Sequence, residues 1–502
     1  MKNIETKQIY NPFLPLNEYI PDGEPHVFGD RVYLFGSHDK EGGEAYCMLD
    51  YVGYSAPVTD LTDWRYEGVI YKAEQDPDYS EERKYIYAPD VVRGNDGRYY
   101  LYYCLVGGVN YISVAVCDTP AGKYEYYGFV RNVDGSLFKR FVPGDPGVIN
   151  DNGVIRLYFG WSLALPENMI NAGSGNGEGD MTEQLINAQM MLFRKSREEV
   201  VGEPEGVMGA NTVTLADDML TIASEPIRIV PGQFSAKGTS FEGHAFYEGS
   251  SIRKIGEMYY FIYSSQRNHE LCYATSKYPD KDFVFGGTII SNCDIGYQGR
   301  KPEDSLNIAG TNHGSIECIN GEWYVFYHRL THATDYSRQA CAEPIKILSD
   351  GSIPQVEVTS SGLNNGPLLA LGEYPAAIAC NITNGKMPNI QFDQIKIAKG
   401  IPNVTHSGDE RYITGIQDGT LIGFKYFRFE GPVRLNVKVR GQGSGKFVIS
   451  TSSKQLGEVV IEPSAEWVES SAIIDTNGTE AFYLTYQGNG EIDFLEFRFE
   501  NI

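Results

Sequence analysis

No run of about 18 apolar residues occurs in this 502-residue chain, so no segment reads as a membrane-crossing helix. The opening MKNIETKQIYNPFLP has no apolar core of the signal-peptide kind. The chain is therefore expected in the cytoplasm, or secreted if a signal peptide was removed before this numbering begins. Its eight cysteines include no C-x-x-C pair, which leaves no zinc or thiol-redox motif. Cysteines scattered through apolar strand patterns are expected to be buried free thiols. Basic residues are in short supply, 42 against 66 acidic ones, and the net charge of −24 repels nucleic acid and anionic membrane surfaces alike. A neutral polymer such as a polysaccharide is compatible with that field. Oligomeric state leaves no mark in the sequence, and long helical periodicities are scarce.

What the chain does contain is strands and turns, with 55 glycines and 35 tyrosines. Its length predicts two or three domains. The stretch Phe246–Ser265 reads as a β-hairpin: Glu248, an alternating apolar strand, a turn at Gly256-Glu257, then a strand of Tyr and Ile. The same grammar starts at Asp22, Asp90, Asp145 and His313. Five such hairpins predict an all-β fold, a five-bladed β-propeller, with the five leading residues converging at one end of its axis. A departure between 163 and 206 holds a glycine-rich tract, Gly173–Gly179, and a helix-like run, Thr182–Lys195; it reads as an insertion forming a lid or rim. After Val358 the turn-rich TSSGLNNGPL suggests a boundary. The expected organisation is a propeller over 1–375 and a β-sandwich of jelly-roll type over 376–502.

Three carboxylates opening inner strands of one propeller raise one another's pKa, an arrangement that stability alone does not favour. Two carboxylates across a pocket are the equipment for glycosidic hydrolysis, one protonating the leaving oxygen and one activating water. Glu242, shortly upstream of Glu248, is a rival acid, but it lacks a hairpin behind it.

These residues carry a resemblance. Asp22 with HVFGDRVYLFGSHD behind it, APDVV at 88–92, Asp145-Pro146, Glu248-Gly249, and NHGS followed by WYVFYH resemble glycoside hydrolase family 43, one motif per blade and in order. The resemblance implies an inverting enzyme with Asp22 as general base, Asp145 as the orienting, pKa-modulating acid and Glu248 as general acid; Gly-Glu-Pro follows Asp22 where the family usually has Pro directly, which makes Glu24 a rival for the base. It also implies substrate contact by Arg338, a pocket-floor or structural place for Asp90, and a Ca2+ ion or water cluster at the propeller axis beside His313. Residues from DGTLIGFKYFRF to GEIDFLEFRF, with the Trp467 segment between, resemble family-6 carbohydrate-binding modules. Ala376–Ala379 replaces the opening acidic strand of those modules, and Glu491 stands where they carry a ligand-binding Asn. Trp467 is expected in the sandwich core. The implied activity is exo-hydrolysis of terminal L-arabinofuranosyl or D-xylosyl residues from xylan- or arabinan-derived oligosaccharides or polysaccharides. The alternatives are an endo-arabinanase and a catalytically silent glycan-binding propeller.

Overall fold

The computed structural model describes residues 7–106, 111–163, 183–202, 206–393 and 395–502. The innermost strands of five sheets are Glu24–Phe28, Ile86–Arg93, Gly147–Asp151, Phe246–Ile255 and Ser315–Ile319. Each sheet then runs outward in sequence order, with four antiparallel strands in blades 1 to 4 and three in blade 5. Alternation explains the strands: one side chain set of each faces the next blade, and the buried tyrosines Tyr51, Tyr103, Tyr158 and Tyr263 fill the space between sheets. The hairpin in blade 4 pairs Ile255 with Met258 across Gly256-Glu257, as its turn residues require. Inner strands touch in the cycle 1–2–3–4–5–1, so blades 1 and 4 are not neighbours.

Ring closure uses the N-terminal segment. The Phe13 N–H donates to the Ala340 carbonyl at 3.3 Å. Asn11 Nδ2 donates to the Ala342 carbonyl at 3.0 Å, and the Ala342 N–H donates back to Asn11 Oδ1 at 3.1 Å. Ile9, Phe13 and Leu14 pack with Ile319, Phe326 and Ala342 of blade 5 and with Val32 and Leu34 of blade 1. This apolar seam lies alongside the three-stranded blade and joins it to the first.

The insertion in blade 3 follows strand Val154–Trp161. Its glycine-rich tract, 173–179, lies outside the described residues. The expected helix is present as Glu183–Phe193, with a short second helix, Arg197–Gly202. Ile186 and Val200 pack with Val142 and Val207, and the Phe193 ring meets Trp161 edge-on at 5.4 Å.

The C-terminal part is a sandwich of two six-stranded sheets around a phenylalanine-rich core that includes Phe424, Phe482 and Phe497. Sheet pairing starts ahead of the expected boundary at 376. Leu368–Leu369 pairs with Leu421–Glu430, and Gly372–Pro375 pairs with Ile492–Asn501. Ala376–Ala379 does not make a strand; it is buried, and the carbonyls of Ala377 and Ala379 accept hydrogen bonds at 2.7 and 3.1 Å from Arg329 of blade 5. The run is apolar because it is the seam between the two parts. Trp467 is half-buried on an outer sheet face, not in the core: Arg440 stacks on its ring at 4.2 Å and its indole N–H donates to Glu410. Glu491 is exposed and accepts a hydrogen bond from Gln417.

Candidate active site

Asp22 lies just before the inner strand of blade 1, held at φ 58°, a left-handed conformation that a Pro-Asp-Gly turn accommodates. Arg338, which starts the last strand of blade 5, donates from Nη1 to Asp22 Oδ1 at 2.9 Å. The rest of its fork is spent on Asp39: Nε to Oδ2 at 2.8 Å and Nη2 to Oδ1 at 3.0 Å. Its guanidinium also stacks on the Tyr46 ring at 4.8 Å. The imidazoles of His313 and His328 stand 3.7 and 3.6 Å from the same Asp22 oxygen. Burial works against the Asp22 charge, but Arg338 and these histidines outweigh it and hold the carboxyl below its ordinary range.

Asp145 is also left-handed, at φ 43°, before the inner strand of blade 3. Its Oδ2 accepts the Gly249 N–H at 3.2 Å, a bond that ties blade 3 to blade 4 beside the acid. A Cβ at Gly249, itself at φ 75°, would sit 2.7 Å from the His313 ring, so this position requires glycine. Burial raises the Asp145 carboxyl, and the Asp22 charge adds to the rise against His313.

Glu248 sits where blade 4 slips register twice, between Phe246 and Glu248 and again between Glu248 and Ser251. Bulges of this kind re-aim side chains near the end of a sheet. The Trp161 indole N–H donates to Glu248 Oε2 at 3.1 Å, and the Tyr247 ring lies 5.9 Å from Trp161. Burial, then the charges of Asp145 and Asp22, pushes the Glu248 carboxyl well above its ordinary range. The structure thus combines one carboxyl held low by a guanidinium with another pushed up by its surroundings. That difference is what acid–base chemistry on one bond requires.

The remaining expectations divide. Asp90 is fully buried and spends both oxygens on the frame: Oδ1 meets His26 Nε2 at 2.6 Å and the Val91 N–H at 2.7 Å, and Oδ2 accepts the Val148 N–H at 2.7 Å. It stitches three blades and has no free face for substrate. Arg338, expected at substrate, is 4% exposed and engaged with two carboxylates. Glu24 is 1% exposed and engaged with Ser251 and Arg253, away from Asp145 and Glu248; burial and the Asp90 charge raise its carboxyl against Arg253. Glu242 is exposed and accepts the Gly238 N–H.

Calcium takes six to eight oxygen ligands. The carboxylates beside His313 are engaged, Asp22 by Arg338 and Asp145 by the Gly249 N–H. These residues do not fit a calcium ion held by protein oxygens. Sequence reasoning missed Asp39, Tyr46, Trp161, Tyr247 and His328. Asp39 and His328 close two of the motifs that carry the resemblance, and only the fold shows what they face.

Residues 11–201 match the family described as Glycosyl hydrolases family 43. A xylosidase/arabinosidase of Thermoclostridium stercorarium is 47% identical, with 98% of each chain covered. The structure of the GH43_1 enzyme from Xanthomonas citri complexed with xylose aligns at TM-score 0.51 and 22% identity, covering 70% of this chain and 94% of that one. A GH43 β-xylosidase/α-arabinofuranosidase from a compost microbial metagenome, described as a calcium-free form in complex with xylotriose, aligns at TM-score 0.49 and 24% identity, covering 68% and 96%. With a relative this similar along nearly its whole length, the chain belongs to glycosyl hydrolase family 43.

Proposed function

We propose that this glycoside hydrolase removes terminal D-xylosyl or L-arabinofuranosyl residues from xylan- or arabinan-derived glycans by a single displacement. The observation that carries the reading is the opposite tuning of Asp22 and Glu248 on non-neighbouring blades. Ionised Asp22 takes a proton from water as the water oxygen attacks the anomeric carbon. Glu248 gives its proton to the departing glycosidic oxygen, so the bond breaks without an alkoxide leaving group. Asp145 sits between them and, through the Gly249 N–H, fixes the segment that carries the acid. The similarity to a xylosidase/arabinosidase supports the sugar class. The placement of the two acids across the funnel supports inversion, which needs about 6.5–9.5 Å between the carboxyl groups.

Glu248→Gln keeps shape and removes the proton. Turnover of xylobiose is expected to fall by at least about a thousandfold, with a smaller loss on 4-nitrophenyl pentosides, whose leaving group needs less protonation. Proton NMR of the first turnovers by the wild type should show the anomer opposite to that of the substrate. Equal losses on both substrates would remove Glu248 from the acid role, and a retained anomer would end the single-displacement reading.

A further inference from the structure

The loop between sandwich strands Asn381–Thr383 and Asn403–Ser407 does not stay with its own sheets. It reaches back over the propeller. The Ala309 N–H donates to the Pro388 carbonyl at 2.9 Å, and the Ile390 N–H donates to the Ala309 carbonyl at 2.8 Å. Ile390 is buried with Ile308, Ala333 and Ala398, and the Ala398 N–H donates to the Ala333 carbonyl at 2.8 Å. Ala333 belongs to the loop that leads into Arg338, so one end of the strap borders the base side of the pocket.

The other end reaches the acid side. Gln391 Nε2 donates to the Tyr247 hydroxyl at 2.6 Å, and Gln391 Oε1 accepts from Asn268 Nδ2 at 2.5 Å. Asn268 and Asn389 exchange side-chain bonds at 3.1 and 3.2 Å, which fixes the Asn268 amide and with it the orientation of the glutamine. Asn268 is fully buried at φ 58° in the turn between two strands of blade 4. Tyr247 immediately precedes Glu248 at the double register slip, where pairing to the neighbouring strand is interrupted and side-chain anchors must replace it. Its backbone carbonyl also accepts the Ser162 N–H at 2.7 Å, next to the Trp161 that bonds Glu248.

We propose that Gln391, contributed by the sandwich, is a positioning residue for the catalytic acid, acting through the Tyr247 hydroxyl to fix the bulged segment that aims Glu248. The proposal rests on the reading of Glu248 as proton donor. Gln391 touches no reacting atom; it sets where the donor stands, so its effect belongs to the step in which the leaving oxygen is protonated.

The test is a double-mutant cycle in the full chain, with xylobiose and a 4-nitrophenyl pentoside as substrates. Gln391→Met keeps volume and removes both hydrogen bonds. Alone, it is expected to lower kcat on xylobiose about tenfold or more with KM within about twofold, and to lower the aryl rate less. In the Glu248→Gln background it is expected to change neither rate further, because residues acting through one group are not additive. Tyr247→Phe, which removes only the hydroxyl, should reproduce the single-variant pattern and serves if Gln391→Met gives no soluble protein. A loss of the same factor with and without the Glu248 carboxyl, or equal loss on both substrates, would overturn the positioning role. If Glu248→Gln itself loses equally on both substrates, the acid assignment falls instead, and the two failures are told apart.

Discussion

At the scale of single residues, the site is organised by where Arg338 spends its donors. One guanidinium serves two buried carboxylates, Asp22 and Asp39, and that arrangement holds the Asp22 carboxyl below its ordinary range. Arg338→Lys keeps the charge and loses the fork, which a lysine cannot reproduce across two acids. The Asp22 carboxyl then rises toward its ordinary value. Because the proposed base must be ionised, the acidic limb of kcat/KM is expected to move to higher pH, while the basic limb, which would report the protonated acid, stays in place. A pH–rate profile of the variant checks this; an unmoved acidic limb would show that Arg338 does not set the Asp22 charge. Asp22, Asp145 and Glu248 were legible in the sequence because the hairpin grammar repeats and each opens a unit. Arg338 was found only through the family pattern, and its pairing with Asp39 was not legible, since Asp39 is 299 positions away and nothing local links them. Asp90 looked like a site residue because it leads its hairpin in the sequence pattern; in the fold it lies inside the strand Ile86–Arg93, past a register slip, and its oxygens face neighbouring blades.

At the scale of elements, the closing seam has a titratable group at its centre. Glu343, in the last strand of blade 5, is 1% exposed and faces Asn11 Nδ2 at 2.9 Å, the Thr359 N–H at 2.7 Å and hydroxyl at 2.6 Å, and the Tyr327 hydroxyl at 3.2 Å. Burial pushes its carboxyl up to about 8. The geometry accommodates the neutral form, because a proton on Oε2 can be donated to a reoriented Thr359 hydroxyl. From about pH 4.5 to 8 the folded protein therefore holds a proton that the unfolded chain has released, and stability falls as pH rises through that window. Glu343→Gln carries the neutral pattern at every pH. Its unfolding free energy is expected to be nearly flat in this window where the wild type loses up to about 5 kcal/mol, which denaturant melts at pH 5 and pH 8 would compare. Parallel pH dependences would show that Glu343 is ionised in the fold. The strands themselves were readable from alternation, whereas the onset of the sandwich was not. Leu368–Leu369 and Gly372–Pro375 are too short to carry a period and become strands only because the long strands 421–430 and 492–501 offer them an edge.

At the scale of the molecule, the sandwich is part of the propeller's surface chemistry and not an appended module. Lys425 reaches Glu357 at 2.9 Å and Asp294 at 3.4 Å, Asn381 donates to Asp294 at 3.1 Å, and Arg329 is capped by sandwich carbonyls. A chain ending at residue 366 would remove these partners from Asp294 and Arg329 and would expose the apolar patch around Ile308 and Ala333. The truncated propeller is expected to be recovered mostly as aggregate and, where soluble, to be inactive; a soluble fragment with full turnover would show the sandwich to be dispensable.

The seam between Asn11 and Ala342 has one more consequence, for biosynthesis. The two residues are 331 positions apart, so the ring cannot close until the whole stretch between them has been made. At about 5–20 residues per second, a nascent chain leaves Ile9, Phe13 and Leu14 without their blade 5 partners for roughly 15–70 s, although Val32 and Leu34 of blade 1 follow within seconds. Blades 1 to 4 can form in turn behind the ribosome, while the side of this apolar segment that faces blade 5 stays uncovered until the last blade is made.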